Sequence, residues 1–138
     1  MRSMKVQDYM NRHPVKFTRD MPVETAVAML IAANQSGGPV VDDDKQVIGF
    51  LSEQDCLAMM LEGTYHKEQS ATVADCMANE VLTVNSDMAI LDLAQQLGHK
   101  RPKVYPVVDY AKQLVGVISR TDVLRAIDLH LRDSYANH

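Results

Sequence analysis

Two short stretches of this chain carry the residue types that phosphate and sugar chemistry needs: Ser52-Glu53-Gln54-Asp55 and Ser119-Arg120-Thr121-Asp122. Ser-x-x-Asp ahead of an apolar periodic run is a capping-box pattern, in which hydroxyl and carboxylate satisfy backbone N–H groups at a helix start. A helix start also leaves several N–H groups unpaired, and these with the dipole favour a phosphate. The two readings coexist. One position separates the stretches: Arg120 offers a planar donor fork to phosphate oxygens, whereas Glu53 repels them. His99, Lys100, Arg101 and Lys103 precede the second stretch, where they read equally as a solvated turn, while Asn34 to Gly37 and the acidic Asp42 to Asp44 precede the first. A bound anion is therefore expected at the second stretch.

Other chemistries find no support in the residues. The histidines, His13, His66, His99, His130 and His138, fall at unrelated positions, with no nucleophile elbow, phosphate-binding loop or metal triad, so neither catalysis nor a metal is expected. His66 reads as a solvated loop histidine. Cys56 and Cys76 lie outside any C-x-x-C spacing and read as two buried, reduced thiols. Aromatic residues make up 5% of the chain, with no Trp, and 14 basic against 18 acidic residues give a net charge of −4. Little stacking surface and no basic footprint argue against nucleic acid. The longest apolar run, Ala26 to Ala33, is far below the roughly 18 residues a membrane span needs, and the polar start lacks a signal core. A soluble cytoplasmic protein is expected. Its 138 residues allow one compact core or two very small ones.

The elements that must position these residues come in two copies. Sliding the chain against itself by 67 aligns Val6–Leu57 with Val73–Leu124 without a gap, and 16 of the 52 columns are identical. Each copy opens with a short helical turn (Val6 to Met10 in the first). An extended piece follows, at Val15 to Thr18 or Val81 to Asn85. Next comes a helix capped by Asp20 or Met21, with Pro22 in its first turn and Val23, Ala26, Val27, Leu30 and Ile31 on one face; Ile90, Leu93, Ala94 and Leu97 match it. Pro39 to Val41 and Val47 to Leu51, like Val104 to Val108 and Leu114 to Ile118, then predict hairpins with five-residue loops, and a last helix starts at Ser52 or Ser119. The fold class is α+β: two β-α-β-β-α repeats packed sheet to sheet about an approximate two-fold axis. The first spans 1–62 and the second 73–138, with 63–72 as a linker.

V-x-D-x-M at Val6 and Val73, P-V-V-D at Pro39 and Pro106, and G-x-x-S-x-x-D at Gly49 and Gly116, in this order and duplicated, resemble tandem cystathionine β-synthase (CBS) domains, the pair known as a Bateman module. The resemblance implies a regulatory module that senses adenosine-containing ligands (AMP, ADP, ATP or S-adenosylmethionine) in clefts between the copies, with no required cofactor and no catalysis. It assigns Asp55 and Asp122 to a ribose diol. It gives the base a slot from Val81, Leu82 and Thr83 with Val104, Tyr105, Pro106 and Val107 above Ile118, where the Tyr105 ring packs on the base. These residues, with Ser119, Arg120, Thr121 and Asp122, form the favoured second site. In the first copy the matching positions are Val15, Lys16, Gly37, Gly38, Pro39 and Val40, with Ser52 and Asp55; glycines in place of Val104 and Tyr105 imply a wider wall and a poorer site. Apolar residues on more than one face of the last helices (Met59, Met60, Leu61; Ile127, Leu129, Leu131) suit the flat homodimers of this family, or alternatively fill gaps in the core. A ligand-free module docking on a separately encoded enzyme or transporter is the competing expectation.

Overall fold

The computed structural model describes residues 4–62, 71–97 and 103–136. Lys5 leads into a 3-10 turn, Val6–Asp8, and the chain then forms α1 (Val23–Ala33), the hairpin β1 (Gly37–Val41) and β2 (Val47–Ser52), and α2 (Glu53–Leu61). The second copy gives α3 (Val73–Cys76), β3 (Val84–Asn85), α4 (Ile90–Leu97), β4 (Val104–Val108), β5 (Leu114–Ser119) and α5 (Arg120–Ala136). The fold is α+β. The expected linker, with His66, lies outside the described residues over 63–70, as do His99, Lys100 and Arg101.

Each hairpin is antiparallel, and both loops are built by the Asp that ends P-V-V-D. Asp42 Oδ1 accepts from the N–H groups of Asp44 and Gln46, and Asp109 Oδ1 from those of Ala111 and Gln113, all within 3.0 Å. These side-chain bonds hold Lys45 and Lys112 at φ 64°, a left-handed position that costs a non-glycine residue energy and that the Asx turn offsets. The extended pieces are shorter than expected. Val84 and Asn85 run parallel to Val107 and Val108, while in the first copy only Phe17 bridges Val40.

Two compact units cut across the sequence repeats. One joins the residues up to His13 with Leu82 onward; the other runs from Pro14 to Val81. The exchange is written into the backbone. Val6 N–H donates to Met88 O, Gln7 N–H to Ser86 O and Ile90 N–H to Met4 O; at the positions 67 residues away, Val73 donates to Met21 O, Ala74 to Arg19 O and Val23 to Ala71 O, with every bond between 2.7 and 3.1 Å. Asn11 and Val117 exchange both backbone bonds, and so do Ala78 and Phe50. The opening segment of each copy thus completes the sheet and helix of the other copy.

This arrangement corrects the expected cap of α1. Its N-cap is Pro22, without a side-chain bond, because the Ala71 carbonyl already takes the Val23 N–H that Asp20 or Met21 was expected to satisfy. It also explains why V-x-D-x-M and the motif glycines recur together. A Cβ on Gly116 would meet Met10 Sδ at 2.9 Å, and one on Gly49 would meet Met77 Sδ at 2.5 Å, so each methionine occupies space that only a glycine leaves.

Each unit has its own core. Val6, Val84, Ile90, Leu93, Tyr105, Val107, Ile118, Val123 and Ala126 fill one. Phe17, Val23, Ala26, Leu30, Val40, Leu51, Cys56, Val73 and Met77 fill the other. Most of the two sets correspond at the offset of 67. The informative exception is an exchange of volume: Phe17 and Gly38 stand in one unit where Val84 and Tyr105 stand in the other.

Candidate functional site

The first turns of α2 and α5 are closed by the same set of bonds. Ser52 N–H donates to Asp55 Oδ2 at 3.2 Å and Asp55 N–H to Ser52 Oγ at 3.0 Å. In the other unit Ser119 N–H donates to Asp122 Oδ2 at 2.9 Å and Asp122 N–H to Ser119 Oγ at 3.1 Å. The loop before each hairpin takes the next donor: Glu53 N–H bonds Ser36 O, and Arg120 N–H bonds Lys103 O. The expectation of several free N–H groups is corrected by this accounting. Among the described residues, only the Gln54 and Thr121 N–H groups of these first turns are left without a partner, so a phosphate there depends mainly on a side-chain cation.

Beyond their shared cap the two aspartates differ. Asp122 is half-buried, and its Oδ1 accepts from Arg125 Nη1 at 2.9 Å. Asp55 has Ala58 three residues on, and its Oδ1 accepts no bond among the described residues. Arg125 was missed in the sequence, although Asp-x-x-Arg on one helix is a recognisable pairing. The roles of the Ser36 and Lys103 carbonyls had no signal, since any residue supplies a backbone oxygen. Arg120 itself is exposed at the start of α5, beside the exposed Thr121.

The base slot is placed differently from the expectation. Tyr105 is 2% exposed, and its ring belongs to the core of its unit. Pro106, Val107 and Ile118 are also buried, Val104 is half-buried, and Leu82 and Thr83 are exposed. Val81 ends the unit of residues 14–81, and Leu82 begins the second segment of the other unit. The exchange of volume supplies the reason for Tyr105: with only Val84 where the other unit has Phe17, the tyrosine ring must occupy that space, and no open face is left for a base to stack on.

In the first copy Pro39 and Val40 are buried, Val15 is half-buried and Lys16 is exposed. The glycines do not widen a wall there. A Cβ on Gly37 would lie 2.7 Å from the Phe50 ring and 2.9 Å from Leu51 O, and one on Gly38 would clash with Val15 O and lie 3.2 Å from Phe17. Their missing side chains are replaced by Phe50, Val15 and Phe17. These glycines therefore give no reason for a poorer first site, and the difference that stands is the charge of Glu53 against Arg120.

Groups of three or more His, Cys, Asp or Glu placed to hold a metal ion are absent among the described residues. No described helix is long and apolar enough to cross a membrane. Elsewhere the unit of residues 14–81 opens an apolar groove of about 360 Å³, lined by Val27, Leu30 and Ile31 of α1 and by Glu53, Gln54, Cys56, Leu57 and Met60 of α2.

The model of the CBS domain family matches this chain twice, over residues 6–62 and 73–129. The chain belongs to the CBS-domain family. Among solved structures, CBSX2 of Arabidopsis thaliana in complex with AMP is 27% identical, with a TM-score of 0.81 over 94% of this chain and 99% of that one. AcuB of Vibrio cholerae is 25% identical, with a TM-score of 0.82 over 99% and 98%. Among curated proteins, the zinc metalloprotease MJ0392 of Methanocaldococcus jannaschii is 31% identical over 93% of this CBS-domain chain and 33% of its own length. The chain spans less than half the length of the first curated relatives it matches.

Proposed function

We propose that this CBS-domain chain is a regulatory module that binds an adenosine-containing nucleotide, with the site at Ser119, Arg120, Thr121 and Asp122 preferred over that at Ser52 and Asp55. The single observation that carries the reading is the Ser-x-x-Asp turn of α5, where a half-buried carboxylate is held in place by Ser119 and flanked by Arg120. Asp122 offers its oxygens to a ribose diol, and Arg120 with the Thr121 N–H takes a phosphate. The AMP complex of CBSX2 supports adenosine as the ligand class. Arg125 already occupies Asp122 Oδ1, so ligand hydroxyls share that oxygen or displace the guanidinium. Binding regulates only if the ligand favours one of two arrangements of the protein.

The reading assigns no catalysis. It includes a homodimer, formed through the helices that leave Ile31, Leu57 and Leu61 of one unit, and Leu91, Leu124 and Leu131 of the other, at least half exposed.

Calorimetry with AMP, ADP, ATP and S-adenosylmethionine tests the proposal. At least one ligand is expected to bind with sub-millimolar affinity, and Asp122→Ala is expected to weaken it by about tenfold or more, as loss of hydrogen bonds to a charged group does. Silence from all four ligands, or an unchanged affinity in Asp122→Ala, overturns it.

A further inference from the structure

Cys56, the residue after Asp55 on α2, is buried in the core of the unit of residues 14–81, and Cys76, the last residue of α3, packs against that same core. The two thiols are close enough that each perturbs the titration of the other, and the Cys76 thiol also lies 3.8 Å from the carbonyls of Thr72 and Val73. Cys56 is buried and Cys76 half-buried, and neither is in a disulfide. The positions 67 residues away show what the fold itself requires here. They hold Val123, which lies in the core of the other unit, and Tyr9, which packs against that core. Side chains without sulfur therefore serve at these two positions without loss of the fold, and one unit alone carries a pair of cysteines there.

The junction is also mechanically placed. α2 begins with the Ser52 and Asp55 cap, while α3 runs directly into Met77 and Ala78, which hold Gly49 and Phe50 of β2. A bond between Cys56 and Cys76 would tie the helix that carries Asp55 to the segment that braces its incoming strand.

We propose that Cys56 and Cys76 form a reversible dithiol–disulfide centre within the unit of residues 14–81, with hydrogen peroxide as the oxidant. As its thiolate, a form that becomes more populated as pH rises, the more accessible Cys76 sulfur attacks the peroxide O–O bond; the departing hydroxide takes up the thiol's proton, giving a sulfenic acid and one water. Cys56 sulfur then attacks the sulfenic sulfur; the S–S bond forms, the S–O bond breaks, and the second water leaves with the remaining thiol proton. Two thiols and one peroxide give one disulfide and two waters. A dithiol reagent restores the reduced pair. The proposal stands whether or not the chain binds a nucleotide.

The test treats the full chain with hydrogen peroxide, alkylates the remaining thiols and reads intact mass and a peptide map. The expected product has lost two hydrogens, takes up no alkylating reagent, links the Cys56 and Cys76 peptides within one chain, and returns to the dithiol with dithiothreitol. Its thermal midpoint is expected to exceed that of the reduced protein, because the bridge closes a loop in the unfolded chain. Cys56→Val copies the Val123 of the other unit, and Cys76→Ala is a second variant; each is expected to melt like the reduced protein and to show no peroxide-dependent rise. Alkylatable thiols after peroxide, over-oxidation of Cys76 alone, or a disulfide only between chains overturns the proposal.

Discussion

At the scale of single residues, chemistry in this chain is set by what each side chain is already bonded to. Asp55 and Asp122 are the same motif residue with the same cap, yet Arg125 engages the second carboxylate and Ala58 leaves the first open. The cysteines show environment acting on titration. Burial, followed by the charges of Cys56, Asp55 and Asp75, pushes the Cys76 thiol from its ordinary value near 9 up to about 11. Burial and Asp55 also raise Cys56, against the lowering effect of its hydrogen bond with Cys76. Alkylation runs through the thiolate, so its rate at Cys76 is expected to keep climbing by about tenfold per pH unit between pH 8 and 10, where an unperturbed thiol levels off. Alkylation of the wild-type protein followed by peptide mapping of the Cys76 peptide checks this; a rate that levels off by pH 10 would contradict it. The linkage has a definite sign. An unfolded thiol ionises near 9 while the folded one holds its proton, so the stability from this group is complete below pH 9 and is lost as pH rises toward 11.

At the scale of elements, the hydrophobic periodicity of α1 and α4, the two hairpins and the Ser-capped helices were all legible, because local capping and strand patterns fix them. The start of α1 was not, since the Val23 N–H that follows the N-cap Pro22 is taken by the Ala71 carbonyl, far away in sequence. Neither was the fate of Tyr105. A tyrosine in an apolar strand reads as a core ring or a stacking ring alike, and only Val84 beside it, in place of Phe17, decides for the core. The helices leave a surplus of apolar surface, with Ile31 at 75% and Leu57 at 57% exposure in the groove and Leu61 at 76% at the end of α2. Placing these against a second copy would bury them at about 25 cal/mol per Å². Sedimentation is therefore expected to show a dimer, and Leu57→Asp with Leu124→Asp to give a folded monomer. A dimer unchanged in that double variant would place the contact elsewhere.

At the scale of the whole molecule, the exchanged opening segments make distant parts of the chain depend on one another. Residues up to His13 supply Val6 and Met10 to the unit formed from Leu82 onward, together with the backbone bonds at Asn11. Deleting residues 1–13 is expected to destabilise that unit by at least several kcal/mol, since it uncovers a core valine and opens paired backbone groups. Hydrogen exchange should then lose protection in β4 and β5 before β1 and β2; equal protection in both hairpins would show that the segment is dispensable. The duplication, the order of elements, the family and the recurring Ser-x-x-Asp turns were determined by the sequence alone, because spacing and local capping suffice for each. Which opening segment completes which unit, whether Gly37 and Gly38 leave space, and which sulfurs meet were decided only by the tertiary structure. Two copies of one pattern offer similar local signals, so a single ungapped alignment cannot tell a segment's own copy from the other, and only complementary volumes and backbone partners far apart in sequence break that tie.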